Sequence, residues 1–467
     1  MAREPKRLGT GATVVISLII LALIAATGFV VWLCIDLVNQ EPELPTTQEP
    51  AVTMPVATTE ATEETEPPTT APPVPEHVVS TATFSAQGDL LMHKPVFDTC
   101  RKNDGTYDFE SIFRYLKDTV STFDYAAVNL ETTFGGDDYI YQGNPHFNCP
   151  DPLMDSVVDA GFDMLLTANN HCGDTTAAGI KRTLEVIDAA GIDALGTMPN
   201  AEAPKYSIIE VNGIKVGMTC FTYATGVTDD GRPALNGNAH LKEAGLVNYF
   251  MESNLPKFYA EVEQQLADME AEGAEATMLY IHWGTEYEIE AGDTQKKMAQ
   301  KLCDLGIDVI LGSHPHVVQP VELLENDQGH KTVCIYSMGN AVSNQRVAQM
   351  DLKTGHTEDG VIFTVTFEKY SDGEVYLLGV DAIPTWVNLR PVSDTRKEFN
   401  ILPLKYDSVD QWQSLYQLTD STLESAKKSY ERTMDIIGDG LTECKSHFGT
   451  AKTAREEAYY TLANTPA

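Results

Sequence analysis

Apolar and polar positions along this chain follow two periods. Short apolar runs at 79–87, 125–128, 162–166, 276–281 and 307–311 have the length and composition of buried strands. Between them, 151–160, 177–190, 248–272 and 294–305 carry apolar residues at helical spacing, as with Ile180, Leu184 and Ile187; Gly191 and Gly306 supply stops. Asn212-Gly213, between runs 208–211 and 215–223, predicts a hairpin. Ser371-Asp372-Gly373, between 361–369 and 374–383, predicts another, and 332–337 is a further strand. Strands alternating with helices predict an α/β fold, and the hairpins add a mixed sheet or a second sheet packed on the first. From Ser408 onward the pattern is helical and polar, a C-terminal helical extension.

Each of the five runs ends in a polar cluster. The first leads to Gly88-Asp89 and His93, the second to Asn129-Leu130-Glu131, and the third to Asn169-Asn170-His171. The fourth leads to His282-Trp283-Gly284-Thr285-Glu286 and the fifth to Gly312-Ser313-His314-Pro315-His316. Parallel strands leave their C-terminal ends on one side of a sheet, where the following loops share a crevice. Residues far apart in sequence are therefore expected in one site.

The chain ends change the picture. Residues 12–35 carry no charge, enough apolar length to cross a ~30 Å hydrocarbon core. Arg3, Lys6 and Arg7 precede the run, so residues 1–11 are expected as a cytoplasmic tail and the bulk of the chain outside. A cleaved signal peptide is the alternative, but the run exceeds the ~7–15 residues of an ordinary signal core. Residues 36–78, rich in Pro, Thr and Glu, predict an extended extracellular linker. A globular domain is expected over 79–390 and the helical extension over 391–467.

The 467 residues carry a net charge of -36, which argues against nucleic acid as a partner and against passive attraction to anionic surfaces or polymers. Of eight cysteines, Cys34 falls in the apolar run, and the other seven show no disulfide framework; Cys100 with Cys149 is one candidate pair. Cys172, next to His171, reads as a packed residue.

The polar clusters suit metal chemistry. Asp89 and Glu131 offer carboxylates, Asn170 a carbonyl oxygen, and His282, His314 and His316 imidazoles, a mixed N/O set that zinc, manganese and iron accept. Pro315 stiffens the turn between two histidines. His171 is placed to act as a general acid.

Gly88-Asp89, Asn129-Leu130-Glu131, Ala168-Asn169-Asn170-His171, the 281–287 stretch, the 312–320 stretch and Tyr336-Ser337-Met338-Gly339-Asn340 resemble the poly-γ-glutamate capsule synthesis (CapA) family of the calcineurin-like metallophosphoesterase superfamily, in order and spacing. The resemblance runs from about Thr81 to Gln345. It implies an αββα metallophosphoesterase-like sandwich with a centre for two divalent ions of Mn, Fe or Zn type. Carried over by motif, Glu131 takes the bridging position. Asp89 and His316 serve one ion, Asn170, His282 and His314 the other, and His171 is the catalytic acid; Glu286 and Asn340 line the pocket. Two departures stand out. The superfamily's first motif has a histidine where this chain has Leu91, with His93 two residues later, and Glu131 stands where Asp is usual. A one-metal site, or a site that binds without turnover, stays open.

The resemblance further implies a single-pass protein of the bacterial cell surface that acts in capsule or poly-γ-glutamate synthesis, export or anchoring. Its partners would be an anionic polymer and membrane synthase subunits. A metal-dependent phosphoesterase of the cell envelope and a non-catalytic metal-containing binding module are the alternatives.

Overall fold

The structure, a computed structural model, describes residues 76–463. The expected cytoplasmic tail, the expected membrane anchor at 12–35 and nearly all of the expected linker lie outside the described residues. Among the described residues no helix is long and apolar enough to cross a membrane.

Among the described residues, seventeen strands follow in chain order. They are β1 (Val78–Leu90), β2 (Tyr125–Asn129), β3 (Met164–Leu166), β4 (Asp193–Leu195), β5 (Tyr206–Val211) and β6 (Ile214–Tyr223). Then come β7 (Gly226–Val227), β8 (Pro233–Ala234), β9 (Tyr249–Phe250), β10 (Ala276–His282), β11 (Val309–Ser313) and β12 (Val318–Glu325). The last are β13 (Lys331–Met338), β14 (Asn340–Val342), β15 (Asp359–Tyr370), β16 (Val375–Pro391) and β17 (Lys397–Pro403). The longer helices are α1 (Thr176–Ala190), α2 (Leu255–Ala271), α3 (Asp293–Asp304) and α4 (Asp420–Ala463).

Two sheets result. The first has the order β17-β16-β15-β1-β2-β3-β4, with β14 added beside β1; the second has the order β12-β13-β11-β10-β6-β5, with β9 beside β6. Strands β1 to β4 are mutually parallel, as are β6, β10, β11 and β13. Phe84, Met164, Met218, Tyr280, Val309 and Val365 share one core between the sheets. The outer face of the first sheet packs under Phe97, Ile112, Leu153 and Ile187, and that of the second under Phe258 and Val262 of α2 and Met298 and Leu302 of α3. Helix, sheet, sheet and helix layers follow, because each sheet has an apolar inner face and must also cover its outer one.

Three expectations are corrected. The helix expected from 248 starts at Leu255, with Pro256 in its first turn, because Tyr249–Phe250 instead extends the second sheet beside Thr222–Tyr223. The stretch after 390 is not helical throughout. Lys397–Pro403 is an edge strand paired with Thr385–Pro391, so the first sheet runs to Pro403. Cys100 and Cys149 are both buried and free, as are the other described cysteines.

Helix α4 is no loose appendage. Ile437, Leu441, Cys444 and Phe448 form one stripe at helical spacing and join the core between the sheets. Gly440 makes this seat possible, since a Cβ there would lie 1.8 Å from the Val321 carbonyl oxygen of β12.

The sheets are joined at the end where the parallel strands terminate. The chain leaves the second sheet at Met338, turns through Gly339 at φ 68° and enters the first sheet as β14. The Asp89 amide donates to the Gly339 carbonyl at 3.0 Å, and a Cβ on Gly88 would lie 1.8 Å from that oxygen. Only glycine at 88 allows this approach, which carries Asp89 to the end of the second sheet.

Candidate metal centre

The five polar clusters converge. Asp89, Glu131, Asn170 and His171 come from the first sheet's strand ends, and His282, His314 and His316 from the second's; all seven are buried. In one group, Glu131, His282 and His314 hold ligand-type atoms within 4.8 Å of one another; in a second, Asp89, Glu131 and His316 do so. Glu131 is common to both.

Individual distances fill in the arrangement. His282 Nε2 lies 2.8 Å from Asn170 Oδ1, 3.2 Å from His314 Nδ1 and 3.5 Å from Glu131 Oε1. His316 Nδ1 lies 3.0 Å from Asp89 Oδ2 and 3.9 Å from Glu131 Oε2. Both carboxylate oxygens of Glu131 are buried without a hydrogen-bond partner. A buried carboxylate in that state is costly unless a cation meets it, so the donor set fits divalent ions. The carboxamide nitrogen of Asn170 is likewise unpartnered while its oxygen faces His282.

Neighbouring groups aim the ligands. Asn129 donates to Asp89 Oδ1 at 2.7 Å, and Asn169 donates to the Leu130 carbonyl at 2.8 Å. His282 Nδ1 lies 3.0 Å from Ser313 Oγ, which leaves Nε2 toward the cluster. His314 and His316 have φ values of 101° and 58°, unusual for residues with a Cβ, and Pro315 stands between them. Tyr223 and Tyr287 wall the pair, with ring centroids 4.9 Å from His314 and 6.2 Å from His316.

The charges differ across the site. Burial, with His282 and His316 adding to it, drives His314 well below the ordinary histidine range and keeps it neutral. Burial alone would also lower His316, but the Glu131 and Asp89 carboxylates outweigh it and push the ring up to about 9. Burial alone would raise Asp89, and His316 reverses this to hold the carboxyl below its usual value.

His171 belongs to no metal-type group among the described residues. Its Nδ1 lies 2.7 Å from Oδ2 of Asp174, whose side chain is fully buried, so Nε2 is free for another partner. The same Asp174 oxygen accepts the Phe147 amide at 2.6 Å, and the Phe147 ring packs against His171 with centroids 4.5 Å apart. Asp174 is a support that the sequence reading did not single out, although the His171-x-x-Asp174 spacing was a usable signal; Ser313 and Asn129 stood in the polar clusters without a role. His93 lies beside the site, its ring 5.2 Å from Phe147 and its Nδ1 3.4 Å from the Asn344 amide, outside both ligand groups. Burial lowers it to about 4. Glu286 is exposed, whereas Asn340 is buried beneath the His316 turn.

The chain is similar to several known proteins. Residues 83–345, more than half of the chain, match the family model "Bacterial capsule synthesis protein PGA_cap". The capsule biosynthesis protein CapA of Bacillus anthracis is 28% identical over 268 residues, 56% of this chain and 60% of that protein. The PGA biosynthesis protein CapA of Bacillus subtilis is 26% identical over 356 residues, 75% of this chain and 81% of that one. Among solved structures, the Thermus thermophilus sulfate thiohydrolase SoxB aligns with a TM-score of 0.36 at 15% identity, over 76% of this chain and 61% of that one. A purple acid phosphatase from yellow lupin seeds aligns at 0.26 and 10% identity, over 65% and 53%. By its matched segment, the chain belongs to the bacterial capsule synthesis protein family PGA_cap.

Proposed function

We propose that this protein is a membrane-anchored, extracellular factor for an anionic capsule polymer of the poly-γ-glutamate type, and that it works through a divalent-metal centre. The observation that supports this best is that the segment matched to the capsule family, 83–345, contains every residue of the buried cluster. Asp89, Glu131, Asn170, His282, His314 and His316 would hold the ions, with Glu131 shared. The uncharged run at 12–35 would supply the anchor, the 36–78 segment a stalk, and membrane synthase subunits the partners. The chain's charge of -36 opposes an anionic polymer at range, and bound cations reverse the field locally. The test is complementation. A strain lacking the protein should regain surface polymer with the wild-type chain and not with the His314→Ala/His316→Ala variant. Full polymer with that variant would refute the metal-dependent role.

Hydrolysis of a phosphoester or related bond is the second reading, favoured by the His171–Asp174 pair beside the metal-type groups. Divalent ions, when bound, supply Lewis acidity and acidify water. The chain's own part is proton handling. Asp174 beside Nδ1 of His171 leaves Nε2 as the ring atom that, in the imidazolium form, would pass a proton to a leaving oxygen. The buried Phe147 ring, packed against His171, shields it from bulk water.

A further inference from the structure

The C-terminal helix lies outside the segment matched to the family, yet a hydrogen-bonded route joins it to the His316 turn. Arg432 of α4 donates from Nε to Asp359 Oδ2 at 2.9 Å and from a terminal nitrogen to Oδ1 at 2.7 Å. Ser429, one turn earlier, donates to the same Oδ1 at 2.6 Å. Asp359 is 1% exposed, so this is a buried, bidentate junction and not a surface ion pair. Arg432 also reaches the Gly355 carbonyl at 3.3 Å, so it grips both ends of the short 355–359 segment.

That segment supports the site. The two hydrogens of the Asn340 carboxamide nitrogen are shared among three oxygens within reach: the Thr357 carbonyl at 3.0 Å, Gln345 Oε1 at 3.0 Å and the His316 carbonyl at 3.2 Å. Gln345 in turn donates to the Tyr287 hydroxyl at 3.1 Å. Next door, Gly339 and Gly360 form an isolated bridge between the chain segments. The His316 backbone is held in the left-handed region, where a residue with a Cβ stays only if its surroundings insist. Asn340 supplies that hold from below, and Thr357 is placed by the residues that Arg432 grips.

We infer that Arg432 and Ser429 are positioning residues for the metal-bearing turn: they act through Asp359, Thr357 and Asn340 to hold His316 toward Asp89 and Glu131. This rests on the metal centre proposed above. Helix α4 is then part of the site's scaffold and more than a cover for the core. Elsewhere on the helix, Lys452 pairs with Glu368, far along β15 from Asp359.

The experiment is a metal titration of the full-length, detergent-solubilised protein. Zn(II) is competed against a chromophoric chelator, and Mn(II) spectra report the coupling between two ions. Outer supports of metal ligands usually contribute about 10–100-fold in affinity. Arg432→Ala should weaken the tighter-coupled ion near His316 by about tenfold and alter the Mn(II) spectrum, with Arg432→Lys intermediate. Ser429→Ala, the milder change, should act in the same direction and serves if Arg432→Ala fails to fold. Lys452→Ala, which loosens the same helix elsewhere, should leave both affinities and the spectrum unchanged. Wild-type affinity in Ser429→Ala together with Arg432→Lys would overturn the inference. So would an equal loss in Lys452→Ala, which would mean general loosening of the helix. If the wild-type protein takes up no divalent ion, the metal-centre reading fails and takes this inference with it.

Discussion

His171 and Asp174 are joined by a 2.7 Å contact between Nδ1 and a fully buried carboxylate oxygen. The pair fixes which ring nitrogen is free, and this bears directly on proton transfer. If the centre is hydrolytic, His171→Ala should lower turnover of a generic phosphoester by roughly 10²–10⁴-fold while bound metal stays constant. Asp174→Asn should lower it in the same direction, because a neutral amide no longer stabilises the imidazolium that donates from Nε2. Assays of kcat beside metal analysis decide this. Loss of metal in His171→Ala would show that His171 is a ligand and not the acid.

Glu131 is the residue both ligand groups share. Its removal should therefore cost more than loss of either side. Glu131→Ala should release all bound metal, Asp89→Ala mainly one ion, and Cys172→Ser none, since Cys172 is packed into the core. Elemental analysis of the purified variants checks the order. One ion retained at full occupancy in Glu131→Ala would refute the shared position.

Asp359 makes a pH prediction. Burial, only partly offset by Arg432 and Ser429 and reinforced by Glu358, pushes its carboxyl up to about 7. The folded state thus holds this proton more tightly than the unfolded chain, whose carboxyl titrates near the ordinary ~3.9. The stabilising contribution is complete below about pH 4 and is lost as pH rises through about 7. Wild-type Tm, less that of Asp359→Asn, should fall across that interval. A flat difference between pH 4 and 7 would show that Arg432 keeps the carboxylate charged throughout.

The 12–35 run predicts topology. Protease added to wall-stripped intact cells should remove the globular domain and spare a short N-terminal fragment carrying Arg3, Lys6 and Arg7. Survival of the domain beside a digested surface marker would reverse the orientation.

Local signals in the chain account for much of this molecule. Asn212-Gly213 and Ser371-Asp372-Gly373 occupy the turns of two observed hairpins, because tight turns demand those residue types wherever they occur. The polar clusters were also readable, since a short apolar run followed by His, Asp or Asn places those residues at a strand's end. Edge strand β17 was hidden by its Lys397-Glu398 start and its polar surroundings, and β9 by its two-residue length. Neither has enough periodicity to separate from the helices beside it.

What sequence alone determined, then, is the set of ligand-type residues and their place at strand ends, because period and turn chemistry act over a few residues. Tertiary structure alone decided which of them meet. His316 faces Asp89 across 227 positions of chain, and Arg432 reaches Asp359 across 73. Those pairings depend on two sheets closing face to face, on the Gly88–Gly339 approach that joins them, and on a helix seated against β12 through Gly440. No local pattern encodes such contacts, since each partner's surroundings exist only once the core has formed.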